Sequence, residues 1–239
     1  SGFATGEGGI TVTYDGANVA LGISATTDGT WSTTFPVPTS AGGFHSIGAF
    51  GSITQASSVP QLSLTINPSI STSRPSGAQG SSVTVNGSGF APGETGITVT
   101  YDGTPVASGI SASALGTWNS TFVVPPSASG SHSIRASGSV TQAASVSEAS
   151  FSIAAGIVLG RASGALGNSV TVSGSGFAAN ESAITVTFDG APVSSGNTAN
   201  TQGAWTATFI VPPSASGNHT VRAYGAVTTS AGDLTFSVL

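Results

Sequence analysis

Ser, His and Asp, the ingredients of a nucleophilic triad, recur along this chain at a fixed interval. Asp15, Asp102 and Asp189 stand 87 residues apart, and so do His45, His132 and His219. In a triad the carboxylate orients the imidazole, and the imidazole takes the proton of the attacking hydroxyl. Here each Asp sits in an aromatic-Asp-Gly turn, and Ser and Thr are 72 of 239 residues, so a hydroxyl near a histidine carries no information. Three identical catalytic centres in one chain would serve no chemistry, and no enzyme activity is expected.

Metal binding is the next chemistry to weigh. Glu7, Glu94 and Glu181 recur eight residues before each turn Asp. Calcium takes about six to eight oxygens, usually from several carboxylates. Two acids per repeat are too few, and acids at strand ends are expected to lie exposed. Histidines a whole repeat apart cannot share an ion, and the absence of Cys excludes disulfides, thiolate zinc sites and thioester chemistry. No metal and no cofactor are expected.

Strand parity gives the histidines a structural role instead. His132 aligns with Ile134 and Ala136 on one face, at the start of a strand. Immunoglobulin folds place a corner tyrosine, bonded to nearby backbone, at such a position. His45, His132 and His219 are therefore expected to bond local backbone. Arg74 and Arg161 recur at repeat starts, and Arg135 and Arg222 recur on the strand after each later His. Pairing with carboxylates or contact between repeats is expected of them, with glycan contact as the alternative. Four Asn-x-Ser/Thr sequons stand at Asn86, Asn119, Asn180 and Asn218, a number near chance in a chain this rich in Ser and Thr. Parity turns Asn86, Asn119 and Asn218 outward and leaves Asn180 in a turn, so all four are accessible as possible N-glycan acceptors.

The elements that position these residues repeat as well. Phe3, Phe90 and Phe177 keep the 87-residue interval, as do Trp31, Trp118 and Trp205, and Pro38, Pro125 and Pro212. Five such series establish an internal repeat. Within the second copy, "SVTVN", "ITVTY", "TWNSTFVV", "HSIRA" and "ASFSI" alternate apolar and polar residues. Asp102-Gly103 supplies a tight hairpin turn, and Pro ends the third of these runs because it cannot donate to a ladder. Gly and Pro interrupt every window long enough for a helical period. The fold class is all-β: three tandem immunoglobulin-like antiparallel β-sandwich modules of about seven strands each. Module one is expected to span 1–66, module two 67–153 and module three 154–239. Trp31, Trp118 and Trp205 are expected to be buried at equivalent positions. Joints of about three residues imply a semi-rigid rod of roughly 10 nm at ~3.3 Å per strand residue.

The run "PSGAQGSSVTVNGSGFAPGETGITVTYDG", followed by "GTWNSTFVVPPSASGSHSIRASG" and "ASFSI", resembles the IPT/TIG-like immunoglobulin repeats of bacterial and archaeal cell-surface proteins. The likeness extends over essentially the whole chain. It rests on "GSGF" after a "VTV" strand, the "DG" hairpin, "G-x-W…VP" and "G-x-H-x-I/V". These are structural motifs, so they imply a fold and a cell-surface setting and no chemistry.

Charge narrows the partners. Four Arg, no Lys and a formal net charge of −5 leave no electrostatic footprint for nucleic acid or anionic lipid. Apolar runs never approach the roughly 20 residues needed to cross a bilayer, so no membrane insertion is expected. Without Lys, a Lys–Asn isopeptide cross-link cannot form. Only 5% of residues are charged, so little repulsion opposes side-by-side packing. The leading expectation is a non-enzymatic extracellular structural protein, a segment of a surface filament, stalk or S-layer that associates with itself. The alternative is an adhesin or carbohydrate-binding module that contacts surface glycans. Tyr224, with Ser137 at its place one repeat earlier, and a shorter run from Arg222 to Phe236 mark module three as the candidate for that specialisation.

The first repeat begins late. Ser1 aligns with Ser88, and the 21 residues from Asn67 to Gly87 have no counterpart before it. Module one is thus expected to lack its N-terminal strands and to expose core around Ile10, Val12 and Phe35. Either a longer array holds the missing strands upstream, or a neighbouring subunit supplies a strand.

Overall fold

In the computed structural model, which describes residues 1–239, alternating runs become short strands and Gly-rich connections become turns. Module one contains β1 (Ile10–Tyr14), β2 (Ala17–Ile23), β3 (Gly43–Phe50) and β4 (Leu62–Ile66), in one sheet ordered β2-β1-β3-β4. Module two contains β5 (Ser69–Thr72), β6 (Ser76–Gly77), β7 (Ser82–Ser88), β8 (Ile97–Tyr101), β9 (Thr104–Ile110), β10 (Trp118–Val123), β11 (Gly130–Ser137) and β12 (Ala149–Ile153). They form two sheets, β10-β7-β5 and β6-β12-β11-β8-β9. Module three repeats this with β13 (Gly156–Leu159), β14 (Ser163–Gly164), β15 (Ser169–Ser175), β16 (Ile184–Phe188), β17 (Ala191–Asn197), β18 (Trp205–Ile210), β19 (Gly217–Tyr224) and β20 (Asp233–Val238).

Each complete module therefore has eight strands rather than seven. The extra one arises because the first strand changes sheets: β5 pairs antiparallel with β7, whereas β6 pairs parallel with β12. The β8–β9 hairpin turns through Asp102 and Gly103, both at positive φ (47° and 79°), the requirement of a two-residue I′ turn.

The inward set is the one that alternation dictates. Val83 and Val85 of β7, Ile97, Val99 and Tyr101 of β8, and Ile134 and Ala136 of β11 are buried together with Trp118, Phe122 and Phe151. Gly87 closes this core, because a Cβ there would lie 2.1 Å from Trp118 Cε2; Gly174 stands equally close to Trp205. The cores of modules two and three hold 15 and 17 buried apolar residues, but module one's holds four. The cause is topological: module one has counterparts of β8, β9, β11 and β12 and none of β5, β6 or β7.

Two expectations for module one need correction. Ile10 and Val12 are buried, at 0% and 3% exposure, and Phe35 is half-buried; Ile10 is covered by Phe3, with Trp31 packed edge to face on Phe3 at 5.5 Å. Trp31 itself is only half-buried, unlike Trp118 and Trp205, since no strand crosses its outer side.

The two junctions between modules are built alike. Gly42 N–H donates to the Phe90 carbonyl at 3.1 Å, and Ser129 N–H to the Phe177 carbonyl at 2.9 Å. In both, the loop before one module's β3 or β11 docks on the Gly-Phe corner that opens the next.

Candidate functional site

The recurrent His and Asp do meet. His45 starts β3 beside the β1–β2 turn, so Nδ1 reaches Asp15 Oδ2 at 2.6 Å and Nε2 reaches the Ala41 carbonyl at 2.9 Å. His132 with Asp102 and Ala128, and His219 with Asp189 and Ala215, repeat the arrangement. The backbone bond to Ala is the local bond read from strand parity, whereas the bond to Asp went unread because the Asp was assigned to its turn alone. Each Asp also accepts a backbone N–H through its other oxygen, from Ser46, Ser133 or Thr220 at 2.8 Å. Each imidazole stacks on an aromatic ring at the end of the strand that leads into the Asp-Gly turn, with centroids 4.9–5.1 Å apart at Tyr14, Tyr101 and Phe188.

This geometry determines the chemistry. A neutral imidazole has one donor nitrogen, yet both ring nitrogens here face acceptors. A second ring proton, favoured at His45 and His219, satisfies both acceptors, and the quadrupole of the aromatic face then adds a favourable contact. The hydrogen bond to Asp15, then that to the Ala41 carbonyl, raises His45 above its ordinary value against the opposing effect of burial. Asp189 and Ala215 do the same for His219. Asp15 and Asp189 are lowered in turn, first by the bond from His and then by the backbone N–H. Each ring faces an aspartate through Nδ1 and a backbone carbonyl through Nε2, so neither nitrogen is turned toward a hydroxyl as a catalytic base would be. The Ser46 hydroxyl faces Asp15, not the ring. The trio is a clamp joining the hairpin turn, the preceding loop and the strand.

The glutamates overturn the expectation of exposed acids. Glu7, Glu94 and Glu181 are buried at 2%, 4% and 5% exposure. Glu94 Oε1 accepts the N–H groups of Val140 and Thr141 at 2.7 and 2.6 Å, while Oε2 accepts the Thr141 hydroxyl at 2.6 Å and Ala91 N–H at 3.1 Å. Glu7 and Glu181 repeat this with Ile53, Thr54 and Ala4 and with Val227, Thr228 and Ala178. Burial alone would raise these carboxyls; the donated hydrogen bonds outweigh it, holding Glu7 at about 2 and lowering Glu94 and Glu181 as well. Their lone pairs are spent on protein donors, which leaves little for a cation. Gly138 admits the carboxylate, since a Cβ there would lie 2.3 Å from Glu94 Oε1. The signal was in the chain: Gly51-Ser-Ile-Thr54, Gly138-Ser-Val-Thr141 and Gly225-Ala-Val-Thr228 recur in step with the glutamates.

The remaining candidates lie apart. Arg135 pairs with Glu148, and Arg222 with Asp233 at 2.5 Å, on exposed faces. Arg161 lies 3.5 Å from Asn168, and Arg74 is exposed. Asn86, Asn119, Asn180 and Asn218 are all exposed, and Asn86 and Asn119 are direct cross-strand partners on β7 and β10. No three of the His, Asp and Glu side chains cluster as metal ligands would, and no helix is long and apolar enough to cross a membrane.

A model of the IPT/TIG domain matches residues 64–153 and 159–238. No curated protein matches the chain in sequence. Among solved structures the chain is similar to the Bacteroides ovatus mixed-linkage glucan utilization locus protein SGBP-B, solved with a mixed-linkage heptasaccharide. That pair shares 14% identity at a TM-score of 0.31, over 98% of this chain and 60% of the other. It is similar to invasin, a bacterial integrin-binding protein, at 16% identity and TM-score 0.32, over 99% and 53% of the two chains. Fibronectin(III)-like modules of Clostridium thermocellum CbhA align at 12% identity and TM-score 0.24, over 71% and 93%. The chain thus spans three fifths or less of the first two proteins.

Proposed function

Because the chain belongs to the IPT/TIG domain family, we propose that its modules serve as a non-enzymatic spacer, a segment of an extracellular stalk, filament or surface layer. The observation that carries this reading is the repeated junction. Two successive modules are joined by the same hydrogen bond, from Gly42 to Phe90 and from Ser129 to Phe177, at positions one repeat apart. A bond to the next module's backbone, added to a short covalent joint, resists bending, and identical joints add identical increments of length. The clamps point the same way: the histidine and the buried carboxylate are consumed in holding turns and loops, as suits a part whose task is to keep its shape. The sparse charge and exposed Ser/Thr faces favour lateral association with further copies.

Small-angle scattering of the full chain tests this. A rod is expected, with the cross-section of one sandwich and a single narrow distribution of lengths. Ser129→Pro removes the junction N–H and should broaden that distribution. Equal, broad distributions for both chains would sink the spacer reading. A second reading rests on module three, where Tyr224 is 41% exposed and the 3-10 turn found at Ala143–Ser145 is missing. An exposed ring beside a remodelled loop suits contact with a sugar face. Binding of an oligosaccharide from a soluble panel, lost in Tyr224→Ser, would select the adhesin reading over the spacer.

A further inference from the structure

The histidine clamp of one module and the buried glutamate of the next are ends of one hydrogen-bonded chain. His45 Nε2 meets the Ala41 carbonyl at 2.9 Å, and the N–H of that same peptide unit, on Gly42, donates to the Phe90 carbonyl of module two at 3.1 Å. The Phe90 peptide unit continues in the same sense: its N–H, on Ala91, donates to Glu94 Oε2 at 3.1 Å. Asp15, His45, two peptide units and Glu94 thus form an unbroken relay from the hairpin turn of one module to the carboxylate of the next. The second junction repeats it link for link. Asp102 holds His132, His132 meets the Ala128 carbonyl at 3.0 Å, Ser129 N–H donates to Phe177, and Ala178 N–H donates to Glu181 Oε2 at 3.1 Å. The contact is close as well as directed. A Cβ on Gly116 would lie 2.2 Å from the Phe90 carbonyl oxygen and 2.9 Å from Ala41 Cα.

Resting on the junction bond of the spacer reading, we propose that each junction is a pH-dependent joint, stiff while the clamp's histidine carries a second ring proton and loose once that proton is lost. A neutral ring has one donor nitrogen. If that donor is Nδ1, facing Asp15, the bare Nε2 stands 2.9 Å from the Ala41 carbonyl oxygen, acceptor against acceptor. If it is Nε2, the 2.6 Å contact with Asp15 sets acceptor against acceptor instead. Either way the Ala41–Gly42 peptide loses its tie to the hairpin turn, and this peptide carries the junction donor. With both protons present every link donates in one direction, and bonds in such a chain polarise one another, strengthening each by about 10–30%. The histidine is the group that titrates. Asp15 is the charged side chain that faces His45, and Tyr14, stacked on the ring, is the other ionisable one. Strands β2 and β4 and residues 38–42 carry none. Around His132 the same places are held by Asp102 and Tyr101, with no ionisable side chain on β9, on β12 or in residues 125–129.

At the first junction the sign is set by the same contacts. Asp15 first, and then the Ala41 carbonyl, raise His45 above its ordinary value of 6.5, so the stiff form is complete below 6.5 and fades as pH rises through the folded value. The test places spin labels on the full chain at Ser63→Cys and Ser150→Cys, exposed positions one repeat apart in a chain without native Cys, and measures the distribution of distances between them. A narrow distribution is expected at pH 5, and one at least about twofold wider at pH 9, as further orientations become populated. The labelled chain carrying His45→Gln, which cannot titrate, should show one width at both. In the unlabelled chain the Gly42 and Ala91 amide protons should shift with the same midpoint as the His45 ring. The proposal is overturned if the width does not change with pH, if the widening persists in His45→Gln, or if those amides stay still while the ring titrates. A width that is narrow at both pH values removes the joint and leaves the spacer standing, whereas one that is broad at both removes the two together.

Discussion

Replacing Glu181 by Gln keeps the side chain's shape and removes its charge, so it isolates what the buried carboxylate contributes. Oε1 accepts the N–H groups of Val227 and Thr228, both at 2.8 Å; Oε2 accepts the Thr228 hydroxyl at 2.6 Å and Ala178 N–H at 3.1 Å. Glutamine offers one acceptor oxygen. If that oxygen faces Val227 and Thr228, the amide NH₂ points at Ala178 N–H, donor against donor, while the Thr228 hydroxyl can turn to accept. Hydrogen bonds to charged groups contribute about 1.5–3 kcal/mol each. One is lost outright and the others become neutral, so module three should lose about 2–4 kcal/mol. For a domain of this size, 1 kcal/mol moves the melting point by about 4–8 °C, so a fall on the order of 10–25 °C is expected. Calorimetry of the full chain gives the size of the shift, and the Trp205 indole N–H signal, with Trp118 as internal control, assigns it to module three. The pH dependence follows from the lowered carboxyl. A depressed carboxylate contributes stability above its unfolded value, near 4.5, and loses it as pH falls through the folded one. The gap between wild type and variant should therefore be widest near neutrality and close on acidification. A shift below about 2 °C, or a gap that persists once the carboxyl is protonated, would refute the argument.

Three further outcomes are expected. His219→Gln should destabilise module three at pH 5–6. Because His219 is raised and Asp189 lowered, the clamp acts fully below the unfolded histidine value of 6.5 and fades as pH rises through the folded one. Denaturation curves that stay equally separated at pH 9 would contradict an imidazolium. Gly174→Ala should cost about 1–3 kcal/mol and displace the Trp205 indole, read from its N–H chemical shift; an unmoved indole would deny the contact. Val124→Thr should cost about 1–3 kcal/mol by burying a hydroxyl, while Val37→Thr should change stability by less than about 0.5 kcal/mol. Equal costs in urea unfolding would mean that module one's face is covered after all.

Local periodicity made the strands and their inward faces legible, since whether Val83 or Thr84 points inward depends only on the alternation of the pleat. The Asp102-Gly103 turn was legible for the same reason, two positive φ angles being a property of two adjacent residues. What escaped notice was partnership across loops. Asp102 and His132 are 30 residues apart, and Glu94 and Thr141 are 47 apart, and no short window contains both members. The 87-residue recurrence did contain them. The Gly-x-x-Thr series kept pace with the glutamates, and a buried carboxylate needing several donors was the physical reason to look for it.

The chain by itself therefore determined the repeat, the all-β class and the inward set of each strand, because these follow from spacing and steric rules that act within a few residues. Only the tertiary structure decided the electrostatics. The same Glu that reads as a solvated strand-end acid becomes a buried, fully bonded carboxylate once a loop 46 residues away folds over it. The same His is tied into a clamp once an aspartate and a carbonyl approach both its nitrogens, and at His45 and His219 those acceptors favour the protonated ring. Charge state depends on which dipoles and acceptors lie within about 3 Å, and that distance is set by the meeting of distant segments, which no local pattern records.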